Sequence, residues 1–207
     1  AMGPMHAAQH FISNLEQTLG NGPLKVSVTL HGSLAATGDG HGTPGAVTAG
    51  LVGHHYETVT LPDIESAWNT AVATGVMRSL SGHDIHFNPS HDLLRDMEPL
   101  APHPNGMTFR AWAGESLKDE KQYFSVGGGM VEDHLGHTLA TSPLLVGDAP
   151  FPYKSMEEFV KWCDREKLSI AQLRARNEHF CLKREEHDPI AAKLWSVMSN
   201  CIDRGLS

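Results

Sequence analysis

The stretch LKVSVTLHGSL (residues 24–34) decides the fold class, because the periodicity of the sequence changes there. From Leu24 to Leu30, apolar side chains alternate with polar ones, which is the pattern of a half-buried β-strand. The preceding stretch PMHAAQHFISNLEQTL (4–19) instead repeats its apolar residues at helical spacing. A helix that leads into such a strand predicts helices packed on a sheet, and we expect an α+β domain with a mixed sheet.

Short elements separated by turns are predicted after this strand. The glycine-rich run TGDGHGTPG (37–45) is expected to be an exposed loop that leads into a helix near Ala46–Val52. A further helix is predicted from Asp63. Short strands are predicted in HDIHFNP (83–89), GMTFRAWAG (106–114) and KQYFSVGGGMVED (121–133). Residues 1–150 are therefore predicted to form one α+β domain.

The last quarter of the chain has sequence patterns typical of helices, and we place a domain boundary near residue 150. Ser155 and Glu158 have the spacing of a capping box. Ser169 is expected to cap a second helix that runs to about Lys183. Residues 151–207 are therefore predicted to form a helical arm.

A third helix of this arm is predicted from Asp188–Pro189 to Gly205. It carries an apolar stripe that needs a surface to cover it. The members of the stripe are Ile190, Leu194, Val197, Met198, Cys201 and Ile202. We expect this stripe to be exposed or paired with another chain when its natural partner is absent.

Charge and composition exclude several classes of protein. The net charge is −8, and residues 1–150 hold 6 Lys and Arg against 15 Asp and Glu, whereas residues 151–207 hold 10 against 9. The acidic first part argues against a nucleic-acid partner. No apolar run is long enough for a transmembrane helix, and the segment AMGPMHAAQH does not have the pattern of a signal peptide.

The three cysteines, Cys163, Cys181 and Cys201, favour a reducing, cytoplasmic location, because an odd number in a chain of 207 residues does not suggest a disulfide scaffold. They are separated by 17 and 19 residues. We interpret them as core thiols and expect no metal site in this chain.

Two glycine-rich stretches are candidate sites. His41 lies between glycines, where it suits either a general base or an exposed loop histidine. Gly127–Gly129 follow a predicted strand, and their bare N–H groups suit either a bound carboxylate or a β-bulge.

A third candidate is HPNGM (103–107), in which His103 and Asn105 suit either a bound amino acid or an ordinary Asn-Gly turn. His83, His86 and His91 suggest a metal hydrolase as a weaker alternative, although their spacing matches no known zinc pattern.

Four motifs in order resemble one family, the bacterial iron–sulfur L-serine dehydratases (L-serine ammonia-lyases). MGPMHAAQHF resembles the family's Ser-His-Thr-x-Gly-Pro start, and LHGSLAATGDGHGT resembles its Gly-Ser-Leu…Thr-Gly-x-Gly-His-Gly-Thr. HPNGMTF and YFSVGGGMV resemble its His-Pro-Asn-Gly-Met and Tyr-x-Ser-x-Gly-Gly-Gly stretches. PFPYKSMEEFVKWCDREKLSIAQLRARNE resembles the segment after its β domain.

The resemblance implies that this chain is the family's β domain, which is similar to the serine-sensing domain of some phosphoglycerate dehydrogenases, plus the start of the α domain. It implies a [4Fe–4S] cluster whose ligands lie in the missing α domain, so the chain alone is expected to be inactive. The activity implied is conversion of L-serine to pyruvate and ammonia, in serine catabolism and gluconeogenesis.

The resemblance also implies roles for individual residues. His41 is the expected catalytic base. The substrate-binding candidates are Thr43, His103, Asn105, Ser125 and Gly127–Gly129. A non-catalytic module that binds serine as an effector stays open as the alternative, and so does a homodimer.

Overall fold

The computed structural model describes residues 1–19, 24–139, 149–182 and 188–207. The chain divides into two compact units, residues 1–139 and 140–207. The boundary predicted near residue 150 falls close to residues 140–148, which lie outside the described residues.

The first unit is an α+β domain built on one mixed sheet, so the expected fold class is confirmed. Its strands are β1 (Leu24–His31), β2 (Val76–Arg78), β3 (Asp84–His86), β4 (Leu93–Asp96), β5 (Gly106–Ala113), β6 (Ser116–Gly127) and β7 (Met130–Asp133). They lie in the order β2-β3-β1-β5-β6-β7, and β4 also pairs with β1. The start of β1 pairs in parallel with β3 and its end with β4, while β5 pairs antiparallel on the other side.

Five helices belong to the same unit: α1 (Met2–Leu19), α2 (Gly32–Thr37), α3 (Thr43–Val52), α4 (Leu61–Thr74) and α5 (Pro89–Asp92). The apolar face of α1 is fully buried at Phe11 and Ile12. Helix α3 approaches α1 closely at Gly50, where a Cβ would lie 2.4 Å from the Met5 carbonyl oxygen. Because both helices are fixed against the same core, the start of α1 and the start of α3 hold defined positions at one end of the sheet.

The structure corrects the prediction that 37–45 is a loop without regular structure. A 3₁₀ turn spans Asp39–His41, and α3 already begins at Thr43. Gly42 has φ +66°, which glycine adopts without strain, and Pro44 suits the first turn of a helix. Glycine therefore joins two short helical elements here.

Other predicted elements are largely present, with differences at their ends. Helix α4 begins at Leu61 instead of Asp63, because Thr60 and Asp63 form a capping box. Of the strand predicted at 83–89 only Asp84–His86 is a strand, and α2, β2, α5 and β4 were not predicted. Each missed element has at most six residues, too few to show a clear periodicity.

The second unit contains α6 (Met156–Glu166), α7 (Ile170–Leu182) and α8 (Asp188–Leu206). Phe159, Cys163 and Leu173 form its small buried cluster. The Asn177 amide donates to the Phe151 carbonyl at 2.9 Å and accepts from the Phe151 N–H at 3.0 Å. These contacts fix the chain just before α6 against α7.

Helix α8 runs one residue beyond the predicted end at Gly205. Its apolar side chains are exposed at Leu194, Trp195, Val197, Met198 and Ile202. Ile190 of the predicted stripe lies among residues whose side chains are not described. Within the described part of the chain, no helix combines the length and apolarity needed to cross a membrane.

Three histidines of the first unit predict a loss of stability in acid. Burial lowers the pKa of His6, His10 and His31, each below the ordinary value of 6.5. The unfolded chain then binds more protons than the folded chain as pH falls through 6.5 towards the lowered values, so stability falls in that window and is fully present above it.

This loss is measured from amide hydrogen exchange of β1 at pH 7.5 and pH 5.5, after correction for the pH dependence of intrinsic exchange. We expect a smaller free energy of opening at pH 5.5, and a smaller difference between the two pH values in His6→Gln. An equal free energy at both pH values would contradict the prediction.

Candidate functional site

An open cleft of about 610 Å³ lies at one end of the sheet in the first unit. Four segments that are far apart in sequence line it: the start of α1, the segment from α2 to the start of α3, the residue before β5, and the end of β6 with the following turn. The lining residues are Ala1–Pro4, Ser33, Leu34, Thr37, Gly38, His41, Thr43, Asn105, Ser125 and Gly127–Gly129. The cleft thus brings together all the predicted site residues except His103.

His41 has a defined tautomer in this cleft. Its Nδ1 lies 2.9 Å from the carbonyl oxygen of Thr37. Because a carbonyl oxygen only accepts, Nδ1 must carry the proton of the neutral ring, and Nε2 carries the lone pair. The ring is exposed to solvent. His41 is therefore oriented so that Nε2 can take a proton from a bound molecule.

The chain around His41 folds back on itself through backbone hydrogen bonds. The Gly38 N–H donates to Leu34 at 2.9 Å, and the Thr43 N–H donates to Gly38, also at 2.9 Å. A Cβ at Gly38 would lie 2.4 Å from the Leu34 carbonyl oxygen. Glycine at this position therefore lets α2 pass directly into the turn that carries His41.

Asn105 connects two segments of the cleft wall. Its side-chain Nδ2 donates to the Ser125 carbonyl at 3.3 Å, and its own carbonyl accepts from the Ser125 N–H at 3.0 Å. The Asn105 N–H donates to Nδ1 of His103 at 3.1 Å. His103 thus stabilises the turn that presents Asn105, whereas Asn105 itself lines the cleft.

The three glycines of the β6–β7 turn all have left-handed backbone angles, with φ of +104°, +60° and +82° at Gly127, Gly128 and Gly129. These conformations are readily available only to glycine. A Cβ at Gly127 or Gly128 would meet no atom within 4 Å, so the backbone there is bare. This turn can therefore receive a ligand close to its main chain.

His6 lies close to this turn, near Gly129. The side chain is buried and contacts the Tyr56 ring, with 5.1 Å between ring centroids. Burial is the main cause of its lowered pKa, His10 and His55 lower the pKa further, and the Gly129 carbonyl acts in the opposite direction. His6 is therefore neutral around pH 7, so it adds no positive charge near the cleft.

The start of α1 lines the cleft, although no site was predicted there from the sequence. Gly3 lies directly against Ser125, because a Cβ at Gly3 would be 2.3 Å from Ser125 Oγ. The motif MGPMHAAQHF contains Gly3 and Pro4, and this motif was the available signal. Ser33 and Thr37 were also missed, since they lie on the short helix α2.

Gly3→Ala is expected to displace the Ser125 hydroxyl, although alanine favours a helix by about 1 kcal/mol over glycine. The new Cβ overlaps Ser125 Oγ and is only 3.0 Å from Ser125 Cβ. The backbone amide resonances of Ser125 and Gly127 should therefore shift in NMR spectra.

The matched control is Gly40→Ala, because a Cβ at Gly40 meets no atom within 4 Å. Combining Gly3→Ala with Ser125→Gly should restore the spectrum of the surrounding cleft. Unchanged resonances in Gly3→Ala alone would refute the close contact.

The metal hydrolase alternative finds no support in the geometry. His83 Nδ1 lies 3.1 Å from Glu16 Oε1 and is also near the Ser81 hydroxyl. His86 is on β3 and His91 is on α5. In the described ranges, no group of three or more His, Cys, Asp or Glu side chains could hold a metal ion.

Comparison with known proteins gives matches to serine dehydratases, both for a family model and for single proteins. A family model described as serine dehydratase beta chain matches residues 1–135. L-serine dehydratase TdcG of Escherichia coli (strain K12) is 34% identical over 212 residues, covering 100% of this chain and 45% of that protein.

Two more L-serine dehydratases are similar over the whole chain. That of Streptomyces coelicolor is 33% identical over 211 residues, which is 46% of its length. That of Mycobacterium bovis is 36% identical over 217 residues, which is 45% of its length. The chain spans about half the length of the curated relatives it matches.

Proposed function

The chain belongs to the serine dehydratase beta chain family, and from that premise we propose that it is the β domain of an L-serine ammonia-lyase with the first helices of a catalytic α domain. The complete enzyme converts L-serine to pyruvate and ammonia in the cytoplasm. The observation that carries the proposal is the cleft, which gathers His41, Asn105, Ser125 and Gly127–Gly129 from three distant parts of the sequence.

His41 is the proposed catalytic base. Its Nε2 takes the α-proton of serine, while the Thr37 carbonyl holds the proton on Nδ1 and stabilises the imidazolium that forms. Transfer of the α-proton to His41 and departure of the β-hydroxyl as hydroxide, which takes up a proton to become water, give aminoacrylate. Its tautomer is an imine, and water converts the imine to pyruvate and ammonia.

Polar groups of the opposite wall hold the substrate. The backbone of Gly127–Gly129, which is bare at Gly127 and Gly128, and the Ser125 hydroxyl suit the serine carboxylate, which accepts hydrogen bonds. Asn105 Nδ2 is already directed towards this wall by its bond to the Ser125 carbonyl. Thr43 lines the His41 side of the cleft. Together these groups would hold the α-carbon near the base.

The resemblance implies a [4Fe–4S] cluster, but the described cysteines do not fit one. Cys163 is buried with Phe159 and Leu173, whereas Cys201 lies exposed on α8, so its interpretation as a core thiol is wrong in this chain. The Cys181 side chain is outside the described residues. We therefore assign the cluster to the α domain.

The exposed face of α8 fits a partner inside the same enzyme. Leu194, Val197 and Met198 are each more than half exposed, which is costly in water. We assign this face to the remainder of the α domain, with a second copy of the chain as the alternative.

We expect the purified chain of 207 residues to form no pyruvate from L-serine. The physical reason is that removal of the β-hydroxyl needs an electrophile, and the described cysteines cannot hold the cluster that would supply it. Pyruvate is measured with lactate dehydrogenase and NADH, after incubation of the chain with iron and sulfide.

The matched sample is the complete enzyme treated in the same way, which should be active. Turnover by the short chain at the rate of the complete enzyme would overturn the proposal that the reaction needs the cluster of the α domain. If the complete protein binds serine but does not turn it over, the result would instead favour the alternative that the chain is a non-catalytic module that binds serine as an effector.

A further inference from the structure

The turn that carries His41 is tied to the sheet by an ion pair. Arg95 Nη2 donates to Asp39 Oδ1 at 2.5 Å. Arg95 lies on β4, opposite Leu30 of the central strand β1. Asp39 is two residues before His41 in the 3₁₀ turn. The guanidinium therefore connects a fixed point of the sheet to the segment that holds the proposed base.

Apart from this ion pair, the turn is held by hydrogen bonds to the helices that directly precede and follow it in the chain. Gly38 and Gly42 flank the turn, and glycine restrains the backbone less than any other residue. Within the described part of the chain, the hydrogen bonds of residues 38–42 stay within residues 34–46, apart from the Arg95 pair. Among the described residues, this pair is thus the polar contact that anchors the turn to another part of the fold.

We infer that Arg95 is a positioning residue for the His41 base and acts through Asp39. The inference rests on the proposed function, since it assumes that His41 takes a proton from the substrate. The side chains are 39% and 70% exposed, so water and salt screen the pair and its effect on global stability is small. Its effect is on geometry, because a base displaced by about 1 Å can lose on the order of a hundredfold in rate.

The test uses the complete dehydratase and separates kcat from KM. Arg95→Ala and Asp39→Ala should each lower kcat about ten- to a hundredfold and leave KM nearly unchanged, since neither side chain is part of the substrate-binding wall. The charge exchange Asp39→Arg with Arg95→Asp should recover most of the lost kcat. The matched control is Arg78→Ala, which removes another exposed pair, with Asp84 at 2.8 Å, and should leave kcat unchanged.

A second readout does not depend on activity. In the chain of 207 residues, Arg95→Ala should speed amide hydrogen exchange at His41 and Gly42, while exchange in β1 stays unchanged. This pattern separates a local loss of order from general destabilisation.

The outcomes distinguish the two proposals. An unchanged kcat in Arg95→Ala, together with an inactive His41→Asn, would overturn the positioning role and leave the base in place. Full activity of both variants would overturn the base assignment and the positioning role together. A charge exchange as slow as the single variants would show that the ion pair is not what positions the base, and would also overturn the inference.

Discussion

Replacing His41 with asparagine is expected to lower the turnover of the complete enzyme about 100- to 10,000-fold, the usual contribution of a general base. Asparagine is close to histidine in size but cannot take a proton near pH 7. The exposed position of His41 means that little packing is lost. Serine affinity should therefore stay within about threefold of the parent, since the groups proposed to hold the serine carboxylate lie on the other wall of the cleft and the variant leaves Thr43 in place.

The control for this variant is His86→Asn, which changes another exposed histidine, on β3 and not among the residues that line the cleft. Pyruvate formation and calorimetric serine binding are measured for both variants and the parent. Normal turnover in His41→Asn would end the assignment of the base. Equal losses of binding and turnover would assign His41 to substrate binding instead.

Asn105→Ala is expected to weaken serine binding by about 1–3 kcal/mol, the cost of leaving a buried polar partner without its hydrogen bond. The variant also removes the 3.3 Å bond from Asn105 Nδ2 to the Ser125 carbonyl, so two segments of the same cleft wall lose a connection. Calorimetry with L-serine on the complete enzyme gives the affinity.

Two further variants sharpen the result for Asn105. Asn105→Asp should bind serine more weakly than Asn105→Ala if the side chain faces the serine carboxylate, and more tightly if it faces the ammonium group. His103→Ala should have a smaller effect, because His103 acts on the turn through the Asn105 N–H and does not line the cleft. Unchanged affinity in both alanine variants would mean that HPNGM is only a turn.

The sequence predicts the sheet well where one strand has a long alternating pattern. The strand at Leu24–His31 is present at the centre of the sheet, but every residue except Lys25 is buried, so the prediction of a half-buried strand is wrong. The prediction of a strand at 83–89 is less accurate, because β3 and β4 are both short and are separated by α5. Both strands pair with the same edge of β1, and this depends on long-range contacts that a local pattern does not contain.

The candidate site also depends on long-range contacts that a local sequence pattern does not contain. Local motifs predict His41, Asn105 and the glycine turn only as candidates, the family resemblance implies their roles, and the fold brings them to one cleft. The contact between Gly3 and Ser125 joins residues 122 positions apart, so a local sequence pattern cannot predict it. The motif for His103 and Asn105 also could not show that only Asn105 lines the cleft, because that depends on the direction of each side chain in the turn.

The most direct test of the account is an NMR titration of the chain of 207 residues with L-serine, with D-serine as the control. The account predicts weak binding in which the shifted amides are those of Asn105, Ser125, Gly127, Gly128 and His41, and smaller shifts with D-serine. Spectra that do not change at high serine concentration, or shifts confined to the second unit, would contradict the claim that this cleft is the serine site.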